Sequence, residues 1–161
     1  METTLNKIKA HNPCKESWVK FLKHKEKTEA DDEPVKLTEI LEVMGIKDAI
    51  WCLKTLEGRD REIRLFACDC AESVLHLYEK EYPNDSRVRD CIEAARKYAI
   101  GEIDIGVLRD AWTAASAAAW DARAAAWAAA RAAAWDAWTA ASDARAAETE
   151  KQKELFIKYF G

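Results

Sequence analysis

One stretch of the sequence, from Ala111 to Ala147, limits the possible folds of this chain more than any other. Alanine dominates the stretch, only Trp, Arg, Asp, Thr and Ser interrupt it, and it contains neither glycine nor proline. Alanine has the highest intrinsic helix propensity, whereas glycine and proline have the lowest. The stretch therefore predicts either one very long helix or two helices that share a surface.

The tryptophans of this stretch repeat with a period close to that of a helix. A shift of 15 residues places Trp112 on Trp127 and Trp120 on Trp135. Fifteen residues in four turns is close to the α-helical repeat of about 3.6 residues per turn, so the indoles are predicted to share one face. Two arginines fall on the same face. The predicted stripe consists of Trp112, Trp120, Arg123, Trp127, Arg131, Trp135 and Trp138.

Two interpretations of this stripe remain open. In the first, the stripe is the seam of the hydrophobic core, where tryptophan supplies buried area and arginine braces the rings. In the second, it is a platform for a ligand or partner, because Trp127, Arg131 and Trp135 are neighbours at the i, i+4 spacing. A guanidinium over an indole contributes roughly 0.5–2 kcal/mol, depending on its exposure to water.

The whole chain is predicted to be all-α, a bundle of about six helices dominated by the Ala/Trp-rich C-terminal segment. We expect one domain over residues 1–161: short helices at 1–58, an amphipathic helix pair at 59–100 and the long segment at 104–160. A continuous helix over 104–160 would be roughly 85 Å long. It would either break near Thr139–Asp143 and fold into a hairpin, or project and pair with a second copy in a homodimer.

Composition excludes several classes of protein. A net charge of −4 gives no general attraction to nucleic acid or to anionic membranes, and no segment is apolar enough to span a bilayer. The N-terminus lacks the apolar core of a signal peptide. An odd number of cysteines, five, predicts reduced thiols and a cytoplasmic location.

A second candidate site lies on the predicted helix Asp60–Glu81. Asp69, Glu72 and His76 follow one another at spacings of three and four, which places them on one helical face. Such a cluster can hold a divalent cation or transfer a proton, but it is more often a solvated surface. We therefore predict a surface for a partner or ligand there, with no metal, no cofactor and no catalytic residue.

A family resemblance begins at Asp60. The segments ACDCAE and YPNDSRVRDCIEAARKYAIGEI, followed by the AAW/AAR repeat, resemble a family of immunity proteins of bacteria and their phages. The resemblance implies an all-helical, cytoplasmic and non-enzymatic protein. It also implies that the chain binds and neutralises a protein partner, such as a toxin or a defence enzyme.

A different function is indicated by the Trp/Arg stripe alone. Indoles stack on nucleic-acid bases and guanidinium groups pair with phosphate, so the stripe is also compatible with a binder that sequesters a nucleotide signal or nucleic acid. The sequence contains no Gly-rich phosphate loop and no Cys/His metal pattern. The prediction is therefore a binding protein rather than an enzyme.

Overall fold

The computed structural model describes residues 1–133 and 137–161, and the side chains at 125–143 lie outside this description. The prediction of an all-helical protein is confirmed in its main point. The described residues form eight α-helices, two short strands and one 3₁₀ turn. In chain order these are β1 (Glu2–Thr4), α1 (Leu5–Ala10), α2 (Lys15–His24), β2 (Pro34–Lys36), α3 (Leu37–Met44), α4 (Ile46–Cys52), the 3₁₀ turn (Leu53–Thr55), α5 (Asp60–Glu81), α6 (Arg87–Ala99), α7 (Ile105–Ala133) and α8 (Ala137–Phe160).

The chain divides into two compact units. We call Met1–Arg59 together with Lys151–Gly161 the terminal unit, and Asp60–Glu150 the central unit. Helix α8 therefore contributes its first part to the central unit and its last part to the terminal unit.

The two strands of the terminal unit were not predicted from the sequence. They pair antiparallel, with Thr3 opposite Val35, and the buried Thr3 hydroxyl shares a hydrogen bond of 2.6 Å with Thr55. Strands of three residues are too short for a recognisable alternation of apolar and polar positions. Each strand is defined by its hydrogen bonds to the other strand, which is distant in sequence. The periodicity of a single segment does not predict such pairing.

The core of the terminal unit joins the two ends of the chain. The largest of its fully buried side chains are Leu5, Val35, Leu37, Phe156 and Phe160. The rings of the two phenylalanines lie 5.0 Å apart, one helical turn from each other on α8. The Met1 amino group donates a hydrogen bond of 2.6 Å to the carbonyl of Phe160. The last turns of α8 are therefore part of the N-terminal core.

The central unit packs α6 against both α5 and α7. The side of α7 that is shielded from solvent is lined by one leucine followed by a row of alanines at alternating spacings of three and four, namely Leu108, Ala111, Ala115, Ala118 and Ala122. Ala118 is completely buried. A seam of methyl groups lets two helix backbones approach closely, and this spacing is that of a helix–helix seam.

The long C-terminal segment is not seen as one helix. It consists of α7, with 29 residues, and α8, with 24 residues. The prediction of a break near Thr139–Asp143 is wrong, because α8 continues through these positions. Alanine on both sides maintains the helix there despite Thr, Ser and Asp. The choice between a continuous helix and a hairpin depends on residues 134–136, which lie outside the described residues.

Candidate partner-binding site

One exposed face of α7 carries the first part of the predicted stripe. We define the α7 face as Arg109, Trp112, Ser116, Trp120 and Arg123, which follow one another at helical spacing. Trp112 is 62% exposed and Trp120 is 69% exposed. The Arg123 guanidinium carbon lies 5.7 Å from the centre of the Trp120 ring, which is cation–π distance.

The interpretation of the stripe as a core seam is wrong for Trp112 and Trp120. The seam of α7 is the alanine row around Ala118, and the α7 face is rotated away from it. Methyl groups let α6 pack closely, whereas indoles at those positions would hold the two helices apart. The periodicity in the sequence predicted correctly that the indoles share a face, but not that the face is exposed.

A shallow cleft lies beside the more exposed of these tryptophans. It is lined by Ser116, Ala119, Trp120 and Arg123 and has a volume of about 230 Å³. Its walls combine the apolar indole with one cationic group. The chemistry that complements such a wall is an apolar or planar group beside a negative charge.

Four further candidates lie outside the described side chains. These are Trp127, Arg131, Trp135 and Trp138. Their role in binding therefore stays a prediction.

The second candidate cluster, Asp69, Glu72 and His76, is not brought together as one site. The Arg96 guanidinium Nη2 donates to Asp69 Oδ1 and to Glu72 Oε2, both at 2.5 Å. His76 instead places its Nδ1 3.1 Å from the Ser73 carbonyl on its own helix. Within 1–133 and 137–161, no group of three His, Cys, Asp or Glu residues is arranged to hold a metal ion.

Arg96 is the residue that the analysis of the sequence missed. It lies on α6 and connects that helix to α5 through the two carboxylates. Burial lowers the pKa of Arg96, but the hydrogen bonds to Asp69 and Glu72 outweigh that effect and raise it above its ordinary value. A pairing between residues 27 positions apart depends on how two helices align, and a single sequence carries no signal for that alignment.

Comparisons with known proteins identify the family. Residues 54–153 match the sequence model of the family described as "Imm-5 like putative immunity protein". The match contains the whole central unit and therefore the whole α7 face. No curated protein matches the chain, and no solved structure does either.

One observation concerns membranes. Among the helices that the structure describes, none is long and apolar enough to cross a bilayer.

Because the family match covers more than half of the chain, the protein belongs to the Imm-5 like family of immunity proteins.

Proposed function

We propose that the protein is a non-catalytic binding protein that neutralises a protein partner in conflicts among bacteria and phages. The partner is a toxin or a defence enzyme, and the protein acts in the cytoplasm as an immunity protein or an anti-defence inhibitor. The family match, which covers the central unit, supports the immunity-type role. The α7 face is the observation that carries the proposed mode of action.

The α7 face has the composition of a protein-binding hot spot. Tryptophan and arginine are the residues that most often dominate binding energy at interfaces, and large exposed aromatic side chains are uncommon on surfaces that contact only water. Trp112 and Trp120 lie two turns apart on one helix, so a single flat or grooved partner surface can cover both. The arginines beside them favour an acidic rim on that partner.

A direct test starts from the partner. The tagged protein is expressed in its native host, cross-linked and purified, and the protein recovered in stoichiometric amount is then produced separately. Hot-spot truncations typically cost 2 kcal/mol or more. We therefore expect Trp120→Ala to weaken the purified complex by roughly 30-fold or more, measured by titration calorimetry.

The chain offers a matched control for that substitution. Leu77 on α5 is 58% exposed, similar to Trp120, but it lies on a different helix of the same unit. Leu77→Ala should leave the affinity within about two-fold. Equal losses for both variants would contradict the assignment of the α7 face, and the absence of any stoichiometric protein complex would contradict the proposed function itself.

A second candidate function is the sequestration of a nucleotide signal. The observation that favours it is the Arg123 guanidinium over the Trp120 ring, which offers a stacking surface beside a phosphate-binding group. The cleft of about 230 Å³ is smaller than the roughly 300–1,000 Å³ of typical small-molecule sites, so the protein partner is the stronger proposal.

Tryptophan fluorescence distinguishes these two functions. A nucleotide that stacks on the α7 face should quench the emission of the wild-type protein, and Trp120→Phe should reduce that quenching. Emission that is unchanged by adenine and guanine nucleotides at millimolar concentration would eliminate the nucleotide function and leave the protein partner.

A further inference from the structure

A small pocket lies within the terminal unit, and all of its lining residues lie outside the family match. Helices α1 to α4 and the turn before α2 surround it. Its lining residues are Ile8, Pro13, Ser17, Trp18, Phe21, Ile40, Met44, Asp48, Trp51 and Cys52. The family match begins at residue 54, so every one of these residues precedes it.

The size of this pocket limits what it can contain. Its volume is about 30 Å³, and one water molecule requires roughly 10–15 Å³ measured in the same way. The pocket is open at one side. It can therefore receive the end of one side chain, but not a nucleotide base or a length of folded peptide.

The wall of the pocket is aromatic and carries one negative charge. Trp18, Phe21 and Trp51 provide ring surface, and Asp48 is the only acidic side chain of the lining. The other titratable group is the Cys52 thiol, whose pKa is raised by burial to about 12, so it is neutral at physiological pH. Asp48 makes no hydrogen bond or ion pair with any residue that the structure describes.

One contact beside the pocket shows how the Trp51 ring interacts with a cation, although the cation itself is not part of the lining. The Lys54 ammonium lies 3.8 Å from the centre of the Trp51 ring. The face of an indole attracts positive charge because the ring quadrupole is negative there. An aromatic wall with an unpaired carboxylate thus has the chemistry of a site for an organic cation.

We propose that this pocket binds the cationic end of one lysine or arginine side chain from the protein partner. The charged group pairs with Asp48, and the methylene groups pack on Trp18 and Trp51. The inference rests on the proposed function in one respect, namely that the natural source of the side chain is a protein partner. The pocket would then help to select that partner independently of the α7 face.

Model compounds test the pocket without knowledge of the partner. The probes are N-acetyl-arginine methylamide, N-acetyl-lysine methylamide and their neutral analogues made from citrulline and norleucine. The full-length protein is labelled with nitrogen-15, and the indole signals are assigned with Trp18→Phe and Trp51→Phe. We expect the cationic probes to shift the Trp18 and Trp51 signals saturably at millimolar concentration, and the neutral analogues to bind at least ten-fold more weakly.

Variants of the carboxylate provide the second arm. Asp48→Asn should weaken the cationic probes by five- to ten-fold, and Asp48→Glu should restore most of the affinity because it keeps the charge. Glu42→Gln is the matched control, since Glu42 is exposed on the neighbouring helix α3 and does not line the pocket. Unchanged indole signals elsewhere in the spectrum establish that each variant is folded.

Three results would overturn the inference. These are no shift of the Trp18 and Trp51 signals at 50 mM probe, equal binding of norleucine and lysine, or equal losses for Asp48→Asn and Glu42→Gln. The second result would mean that the pocket is an apolar anchor site instead. None of them affects the proposed function, which fails only if no protein complex forms.

Discussion

Asp85 is the centre of a hydrogen-bonded group that, through Arg87, connects three helices of the central unit. It accepts a hydrogen bond of 2.7 Å from the Tyr78 hydroxyl on α5 and bidentate hydrogen bonds from the Arg87 guanidinium at the start of α6. The same guanidinium reaches Asp121 on α7 at 3.2 Å. The hydrogen bonds from Arg87, and then that from Tyr78, hold the pKa of Asp85 well below its usual value of 3.8.

The first prediction concerns stability in acid. Because the pKa of Asp85 is lowered in the folded protein, its contribution to the free energy of unfolding is complete above about pH 5 and is lost progressively as the pH falls below that value. Asp85→Asn should therefore lower the melting temperature at pH 7, and the difference from wild type should shrink between pH 4 and pH 2. Calorimetry across that range measures both effects.

Substitutions of the two partners separate the causes of this shift. Arg87→Met should remove most of the acid dependence that Asp85 provides, whereas Tyr78→Phe should remove only a smaller part. If the melting temperature of Asp85→Asn stayed equally far below that of wild type down to pH 2, the stabilising role of the Asp85 carboxylate would be contradicted.

The second prediction concerns stability in alkali. Burial raises the pKa of the Cys52 thiol from 9.0 to about 12. Above pH 9 the unfolded chain releases this proton while the folded protein retains it, so the free energy of unfolding falls as the pH rises. The expected slope from this group is at most about 1.4 kcal/mol per pH unit. Urea unfolding between pH 8 and pH 10.5 should show a flatter dependence for Cys52→Ala than for wild type.

The control for this experiment is another cysteine. Cys14 is exposed and its sulfur accepts a hydrogen bond from the Ser17 amide at the start of α2. Cys14→Ser keeps a capping oxygen at that position and should leave the slope as it is in wild type. The prediction fails if Cys52→Ala and wild type lose stability in parallel.

Single residues also show where reasoning from sequence succeeds at the site. Helical spacing correctly placed Trp120 and Arg123 together, because positions three apart are neighbours on any α-helix. The same spacing could not decide between core and surface. That decision depends on Ala118 and its neighbours, which pack against α6, and alanine is compatible with both environments. Helical spacing also does not predict that Arg96 donates hydrogen bonds to the carboxylates of Asp69 and Glu72.

At the scale of elements, helices are predicted better than the contacts between them. The boundaries of α3 and α5 agree with their amphipathic patterns, and Gly45 follows α3 as its C-terminal cap. Asp104 caps α7, accepting hydrogen bonds from the Gly106 and Val107 amides at 2.6 and 3.1 Å. Caps are local interactions, so sequence reveals them. The β1–β2 pairing and the packing of the end of α8 depend on residues far apart in the chain, so a local sequence pattern does not reveal them.

The third prediction tests the role of that helix end. Phe156 is completely buried, whereas Ile157, the next residue on α8, is 52% exposed. Truncation of a buried phenylalanine typically costs about 3–5 kcal/mol, and exposed substitutions usually stay within about 0.5 kcal/mol. Phe156→Ala should lower the melting temperature by roughly 10 °C and Ile157→Ala by no more than about 2 °C. Similar losses in both variants would show that α8 is not anchored through Phe156.

At the scale of the whole molecule, the two units differ in charge. The central unit contains 11 basic and 17 acidic residues, whereas the terminal unit contains 14 basic and 12 acidic residues. The overall net charge of −4 therefore describes neither unit. The average charge therefore predicts neither the arginines of the α7 face in an acidic unit nor the single carboxylate of an apolar pocket in a slightly basic one.

The fourth prediction is that the units respond separately to core damage. Leu37 is completely buried in the terminal unit and Phe66 is buried in the central unit. Leu37→Ala should accelerate amide hydrogen exchange in residues 1–59 and 151–161, and Phe66→Ala should do so within 60–150. Mass spectrometry of peptides resolves the two patterns. Uniform acceleration along the chain by either variant would contradict this separation.

The hydrogen bond between the Met1 amino group and the Phe160 carbonyl has a consequence for synthesis on the ribosome. The residues that complete the terminal core are translated after the whole of the central unit has been made. The central unit can therefore begin to fold during translation, whereas the N-terminal segment must wait until the end of α8 has been synthesised before its own core closes. During that interval the nascent N-terminus is a candidate substrate for chaperones, and a premature stop before Phe156 would leave it permanently incomplete.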